Sequence, residues 1–160
     1  MNENPSITSR AEFGAAVRWG LETAIARGAR RVWCTDPDFA DWPLGEPALL
    51  DQLSSWLRLP QRRLVLLAGG YEALLRCHPR FVTWRRSWTH AIETWSPAET
   101  PGDLPTVLVD DGPVVVRLAD RVHWRGRAAV DAREAQLWRE GNDAVLQRSE
   151  PAFPANHLGL

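Results

Sequence analysis

The chain has no lysine: all 19 of its basic residues are arginine. Schiff-base chemistry and a phosphate-loop lysine are thereby excluded. A genome biased against lysine codons accounts for this more readily than selection for arginine's fit to phosphate. Cysteine is nearly as scarce, and Cys34 and Cys77 lack metal-ligand spacing, so both read as small apolar fillers. No Cys/His set has zinc spacing, and neither G-x-S-x-G nor H-E-x-x-H occurs. The opening MNENPSIT has no basic, apolar leader, and no apolar run approaches the ~20 residues of a membrane span. The expected location is cytoplasmic, with no membrane association, no cofactor and no bound metal. A net charge of −1 lacks the electrostatic footprint of a nucleic-acid binder, so nucleic acid is disfavoured as a partner.

What is present suits one globular domain. A length of 160 residues, 44% hydrophobic and 24% charged, is enough to bury a core. Nine tryptophans are the unusual feature, and they are expected mostly inside, with one or two at a subunit contact.

Residues 1–8 are polar and expected to be frayed, leaving 9–160 as a single α/β domain. Ser9 with Glu12 matches a capping box ahead of Phe13, Val17, Leu21 and Ala24 at helical spacing, and Gly28 supplies the stop. Arg31–Thr35 reads as a strand, followed by a proline-bearing acidic loop. Pro47 opens a second helix with Leu49, Leu50, Leu53, Trp56 and Leu57 on one stripe. Arg63–Ala68 is a continuous apolar run, the pattern of a strand covered on both faces. Gly69-Gly70 turns the chain into Tyr71–Cys77. Pro79 starts a helix with Phe81, Trp84 and Trp88 as its stripe, and Ala91–Trp95 is a third strand. After the loop 96–105, Thr106–Asp110 and Pro113–Ala119 flank Asp110-Asp111-Gly112, a hairpin signal. Arg121–Trp124 is a candidate short strand. Asp131 caps a last helix carrying Val130, Leu137, Trp138, Gly141 and Val145, which Gly141-Asn142 could break. The tail from Ser149 is expected on the surface. This order predicts an α/β fold: a single-domain mixed sheet with helices on both faces.

Asp36, Asp38 and Asp41 follow the first strand, where open α/β sheets place ligands. A D-x-D there could hold Mg²⁺, but Pro37 and Phe39-Ala40 depart from the phosphatase pattern, and turn and capping carboxylates explain the three better. Gly69-Gly70 could expose amides to an anion, although a plain tight turn suffices. His78, Arg80, Arg85, Arg86 and His90 form the one dense cationic cluster, suited to phosphate or carboxylate. Trp84 and Trp88 among them invite a base-stacking reading, while their helical spacing makes them core.

The opening helix with Arg30-Arg31 leading into a strand, the strand Leu64–Ala68, the His78/Arg80 segment, the strand His90–Trp95, the Asp110-Asp111-Gly112 hairpin and the ending Ala144–Pro151 with a terminal Leu-Gly-Leu together resemble one half of a phospholipase D-like fold. The closing pattern, a final helix leading into Ser-Glu-Pro and an apolar end, resembles small bacterial members of that group lacking the catalytic motif. The resemblance implies His-x-Lys-x4-Asp, with a histidine nucleophile and a neutralising lysine. Here His123 is followed by Arg125, Val130 takes the aspartate position, and Asp131 comes one residue late. It therefore implies a non-catalytic binding or dimeric scaffold module, a homodimer with a vestigial site for a phosphate-containing ligand lined by His78, Arg80, Arg85, Arg86, His90 and His123. The alternatives are a phosphoester hydrolase or transferase using His123 or His78, and a nucleic-acid-binding accessory protein using Arg80, Arg85 and Arg86.

Overall fold

The computed structural model describes residues 4–99 and 104–154. The expectations for residues 1–3, part of the 96–105 loop and the terminal Leu-Gly-Leu lie outside them. Five α-helices and eight strands form a single α/β domain around one mixed sheet. The strands are β1 (Ser6–Ile7), β2 (Arg31–Asp36), β3 (Arg63–Ala68), β4 (Ile92–Pro97), β5 (Thr106–Asp110), β6 (Val114–Asp120), β7 (Arg125–Val130) and β8 (Ser149–Pro151). Their order in the sheet is β1-β7-β6-β5-β2-β3-β4-β8. β2, β3 and β4 are parallel neighbours, and every other pairing is antiparallel.

Local chemistry explains most element ends. Helix α1 (Arg10–Ala26) begins where Ser9 Oγ accepts from Glu12 N at 3.1 Å. Glu12 reaches back one residue further than a standard capping box, accepting from Thr8 N at 2.7 Å and from the Thr8 hydroxyl. Those bonds hold the exposed Glu12 carboxyl below its ordinary pKa. Gly28, at φ 79°, supplies the left-handed stop. The β5–β6 hairpin is fixed by Asp110, whose Oδ1 accepts from Gly112 N and Val114 N, each at 2.9 Å. Burial pushes its carboxyl pKa up, and the two amides work against that shift.

Side chains alternate between two cores. Val32, Cys34, Leu64, Leu66, Leu108 and Val116 face α1, α2 (Pro47–Leu57), α3 (Glu72–Cys77) and α4 (Pro79–Arg85). Val107, Val109, Val115 and Ala129 face α5 (Ala132–Leu146), with Trp33 and Trp138 at the rim. Both faces are covered, but unevenly. None of the nine tryptophans is exposed.

Several expectations are corrected. Ser6–Ile7 is not frayed: it pairs with Arg127 and Gly126, and Ile7 is buried. Arg121–Trp124 is a turn, and the strand begins at Arg125. Val130 ends that strand rather than joining α5, which runs unbroken through Gly141-Asn142. The inner face of α5 is Ala135, Trp138 and Asn142, while Leu137 is 61% exposed. The tail supplies β8 against β4 and a buried Phe153.

Candidate functional site

A crevice of about 270 Å³ opens at the carboxyl end of β2, lined by Phe13, Asp36, Pro37, Asp38, Asp41, Leu118, Arg121 and Trp124. This is where the physics of an open α/β sheet places a ligand: strand ends and loops meet there without a helix to cover them. Because β5 runs antiparallel to β2, its first residue, Thr106, lies beside Asp36, the last of β2. The Thr106 hydroxyl donates to Asp36 Oδ1. Asp36 Oδ2 accepts from Asp38 N at 3.1 Å and Phe39 N at 2.7 Å, so this buried carboxylate organises the loop after β2. Arg121 closes the network, donating through NH1 to Leu104 O and Thr106 Oγ1, both at 3.0 Å.

Two residues at this end of the sheet sit in the left-handed region: Trp124 of the crevice lining at φ 55° and buried Phe39 in the acidic loop at φ 61°. Such conformations cost energy for bulky side chains and persist only where the surroundings impose them. For Phe39 the imposing groups are Asp36 and His78, whose Nε2 donates to Phe39 O at 2.9 Å. For Trp124 they lie in the turn before it: Asp120 accepts from Val122 N and His123 N and pairs with His123 Nδ1 at 2.9 Å. These bonds hold the exposed Asp120 carboxyl below its ordinary pKa.

The cationic cluster does not converge. His78 is buried and braces the acidic loop from behind. Arg80 is exposed and donates to Gly45 O at 2.9 Å, at the far end of the same loop. Arg85 is 5% exposed and points toward the carboxy-terminal segment, bonding Thr94 Oγ1 at 3.1 Å and Phe153 O. Its guanidinium lies 4.2 Å from the Phe153 ring centre, and desolvation lowers its pKa. Arg86 and His90 are exposed on the surface that follows, and His123 stands in the β6–β7 turn. The Gly69 and Gly70 amides point to Pro37 O at 3.0 and 3.3 Å, completing a tight turn. Asp36 accepts from Asp38 N and Phe39 N and Asp38 accepts from Ala40 N, so both D-x-D carboxylates act as turn and capping groups.

Sequence reasoning named the three aspartates but missed Arg121 and Trp124 as their companions. Only the antiparallel return of β5 beside β2, and of β6 beside β5, brings them together. No helix among the described residues is long and apolar enough to cross a membrane.

No family model and no curated protein matches the chain. Solved structures do. TrmBL2, an archaeal chromatin protein described as showing a novel mode of DNA binding, matches with a TM-score of 0.65 at 14% identity, over 94% of this chain and 54% of that one. The phosphatidylserine synthase of Haemophilus influenzae Rd KW20, of the phospholipase D superfamily, matches with a TM-score of 0.55 at 11% identity, over 88% of this chain and 37% of that one. The chain thus spans about half or less of the length of each. The expectation that disfavoured nucleic acid is corrected by the first match: the fold occurs in a protein described as binding DNA, so a net charge near zero is no ground for exclusion. At these identities what is shared is the fold, and the chain is similar in fold to a phospholipase D-superfamily synthase and to a DNA-binding chromatin protein.

Proposed function

We propose that this chain is a non-catalytic, ligand-binding domain of phospholipase D-like fold, with the crevice at the end of β2 as its binding site. The observation that carries this reading is a built crevice without a histidine nucleophile. Its polar groups are Asp36, Asp38, Asp41 and Arg121, and the described histidines, His78, His90 and His123, all lie outside its lining. Laid on β5 and its hairpin, a His-x-Lys-x4-Asp frame ending at Asp111 falls on Leu104 and Thr106, which supply neither the nucleophile nor the neutralising cation. Both positions instead accept from Arg121.

The ligand chemistry follows from the lining. Arg121 offers guanidinium N–H groups to an anionic group, Asp38 and Asp41 accept from an amine or hydroxyl, and Phe13 with Trp124 provides apolar walls. A thermal-shift panel of small phosphorylated, zwitterionic and amine compounds tests the reading. A compound at a hundredfold its Kd should add about 2.7 kcal/mol of stability. That shift should vanish in Arg121→Ala and weaken in Asp38→Asn. A panel without a hit, or hits unchanged in both variants, contradicts the reading. A second reading, nucleic-acid binding, is favoured by the description of TrmBL2 and concerns the α3–α4 surface rather than the crevice.

A further inference from the structure

The chain's near-neutral total hides a local asymmetry. Residues 73–92 contain four arginines and no acid, between Glu72 and Glu93. Arg85 is buried, while Arg76, Arg80 and Arg86 are exposed and none of the three forms an ion pair among the described residues. Nearby, exposed Asp51 on α2 and exposed Arg58 at its C-cap stand one turn either side of Ser54, so their charges offset each other.

An aromatic ladder is built from the same stretch of chain. From buried Phe81 it passes to Trp84 at 5.6 Å, then Trp88 at 6.2 Å, then exposed His90 at 5.9 Å, with interplanar angles of 42°, 39° and 32°. Trp84 is anchored by its indole N–H, which donates to Ser54 Oγ at 2.7 Å. The outer rungs are Trp88, half-buried against the core, and exposed His90. Packing against the core explains Phe81, Trp84 and Trp88. It does not explain ending the ladder on an exposed imidazole.

We infer that the α3–α4 surface binds single-stranded nucleic acid, with Arg76, Arg80 and Arg86 on phosphates and Trp88 with His90 as a stacking platform for bases. The single strand is favoured over the duplex because the platform needs an unpaired base face. The site is separate from the crevice and stands independently of it.

Fluorescence anisotropy of the full chain with a labelled 20-mer of oligodeoxythymidine tests this. Three phosphate contacts on a single strand predict a slope of log K against log salt of about −2, or on the order of tenfold weaker binding between 50 and 200 mM salt. Arg80→Ala with Arg86→Ala should flatten the slope by about 1.4. Because Arg80 also braces Gly45, Arg86→Glu alone is the companion variant and should weaken binding while leaving the melting temperature unchanged. Trp88→Leu should weaken binding about tenfold with the slope retained, since stacking carries no counterion release. Arg133→Ala, on exposed α5 surface, should change nothing. Absence of binding overturns the inference. So does equal affinity for a duplex of the same length, or full competition by heparin with Trp88→Leu unaffected, which would mark a general polyanion contact.

Discussion

Gly126→Ala is expected to cost about 3 kcal/mol or more of stability, because the new methyl would meet backbone that cannot rotate away. An ideal Cβ at Gly126 lies 2.2 Å from Arg117 O, 2.9 Å from Leu118 Cα and 3.1 Å from Arg117 C. The crowding arises at the irregularity between Leu118 and Asp120, where β6 and β7 shift register. Gly126 also pairs with Ile7, so forcing β7 outward disturbs β1 and its buried isoleucine. The effect should appear as a lowered urea midpoint with unchanged slope. Gly141→Ala is the matched control: nothing lies within 4 Å of its Cβ position, and the site is a helix interior, so a gain of about 0.5–1 kcal/mol is expected. Equal stability of Gly126→Ala and wild type would contradict the register described for this pair.

Phe153→Ala is the second large effect, at about 3–4 kcal/mol for a buried aromatic ring. The ring stacks on Tyr71, with centroids 4.8 Å apart and planes 8° from parallel, and the Arg85 guanidinium lies 4.2 Å from its centre. Tyr71 donates to Leu66 O at 3.2 Å and Trp95 O at 2.8 Å, and burial raises its pKa. Arg85 has no carboxylate partner among the described residues, so its charge is compensated by the Phe153 carbonyl, the ring face and Thr94. Losing the ring removes packing and opens a buried cation to water together. Hydrogen exchange should then rise most at Ala152 N, which bonds Thr94 O at 3.0 Å, and at Ala98 N, which bonds Arg148 O at 3.0 Å. Protection unchanged at both amides would show that β8 holds without Phe153.

Elements announced by short-range chemistry were legible in the sequence. The Ser9 cap, the Pro47 start, the Asp110-Asp111-Gly112 turn and the apolar run Arg63–Ala68 each act within a few residues of themselves and stand as read, while Glu12 closes its half of the box on Thr8 instead of Ser9. The edge strands were not. A two-residue β1 and a three-residue β8 have no intrinsic preference to express, and they exist because the sheet offers unpaired neighbours. β7 reads RGRAAV, with little alternation, and its glycine is required by a backbone contact made in three dimensions. Arg85 broke the rule that arginines stay outside, because the carbonyl and ring that receive it come from a segment 68 residues later. The three aspartates of the crevice could be named and their capping role anticipated, whereas Arg121 joins them only through strand pairing.

The crevice is lined by three aspartates and one arginine, and none of the described histidines belongs to its lining. The most direct measurement is therefore hydrolysis of bis(4-nitrophenyl) phosphate by the purified full chain, with and without added divalent cations. The predicted result is a rate indistinguishable from buffer, the same for His78→Ala, His90→Ala and His123→Ala. Turnover above background that is lost in His123→Ala or His78→Ala would contradict the account and establish a histidine-based phosphodiesterase.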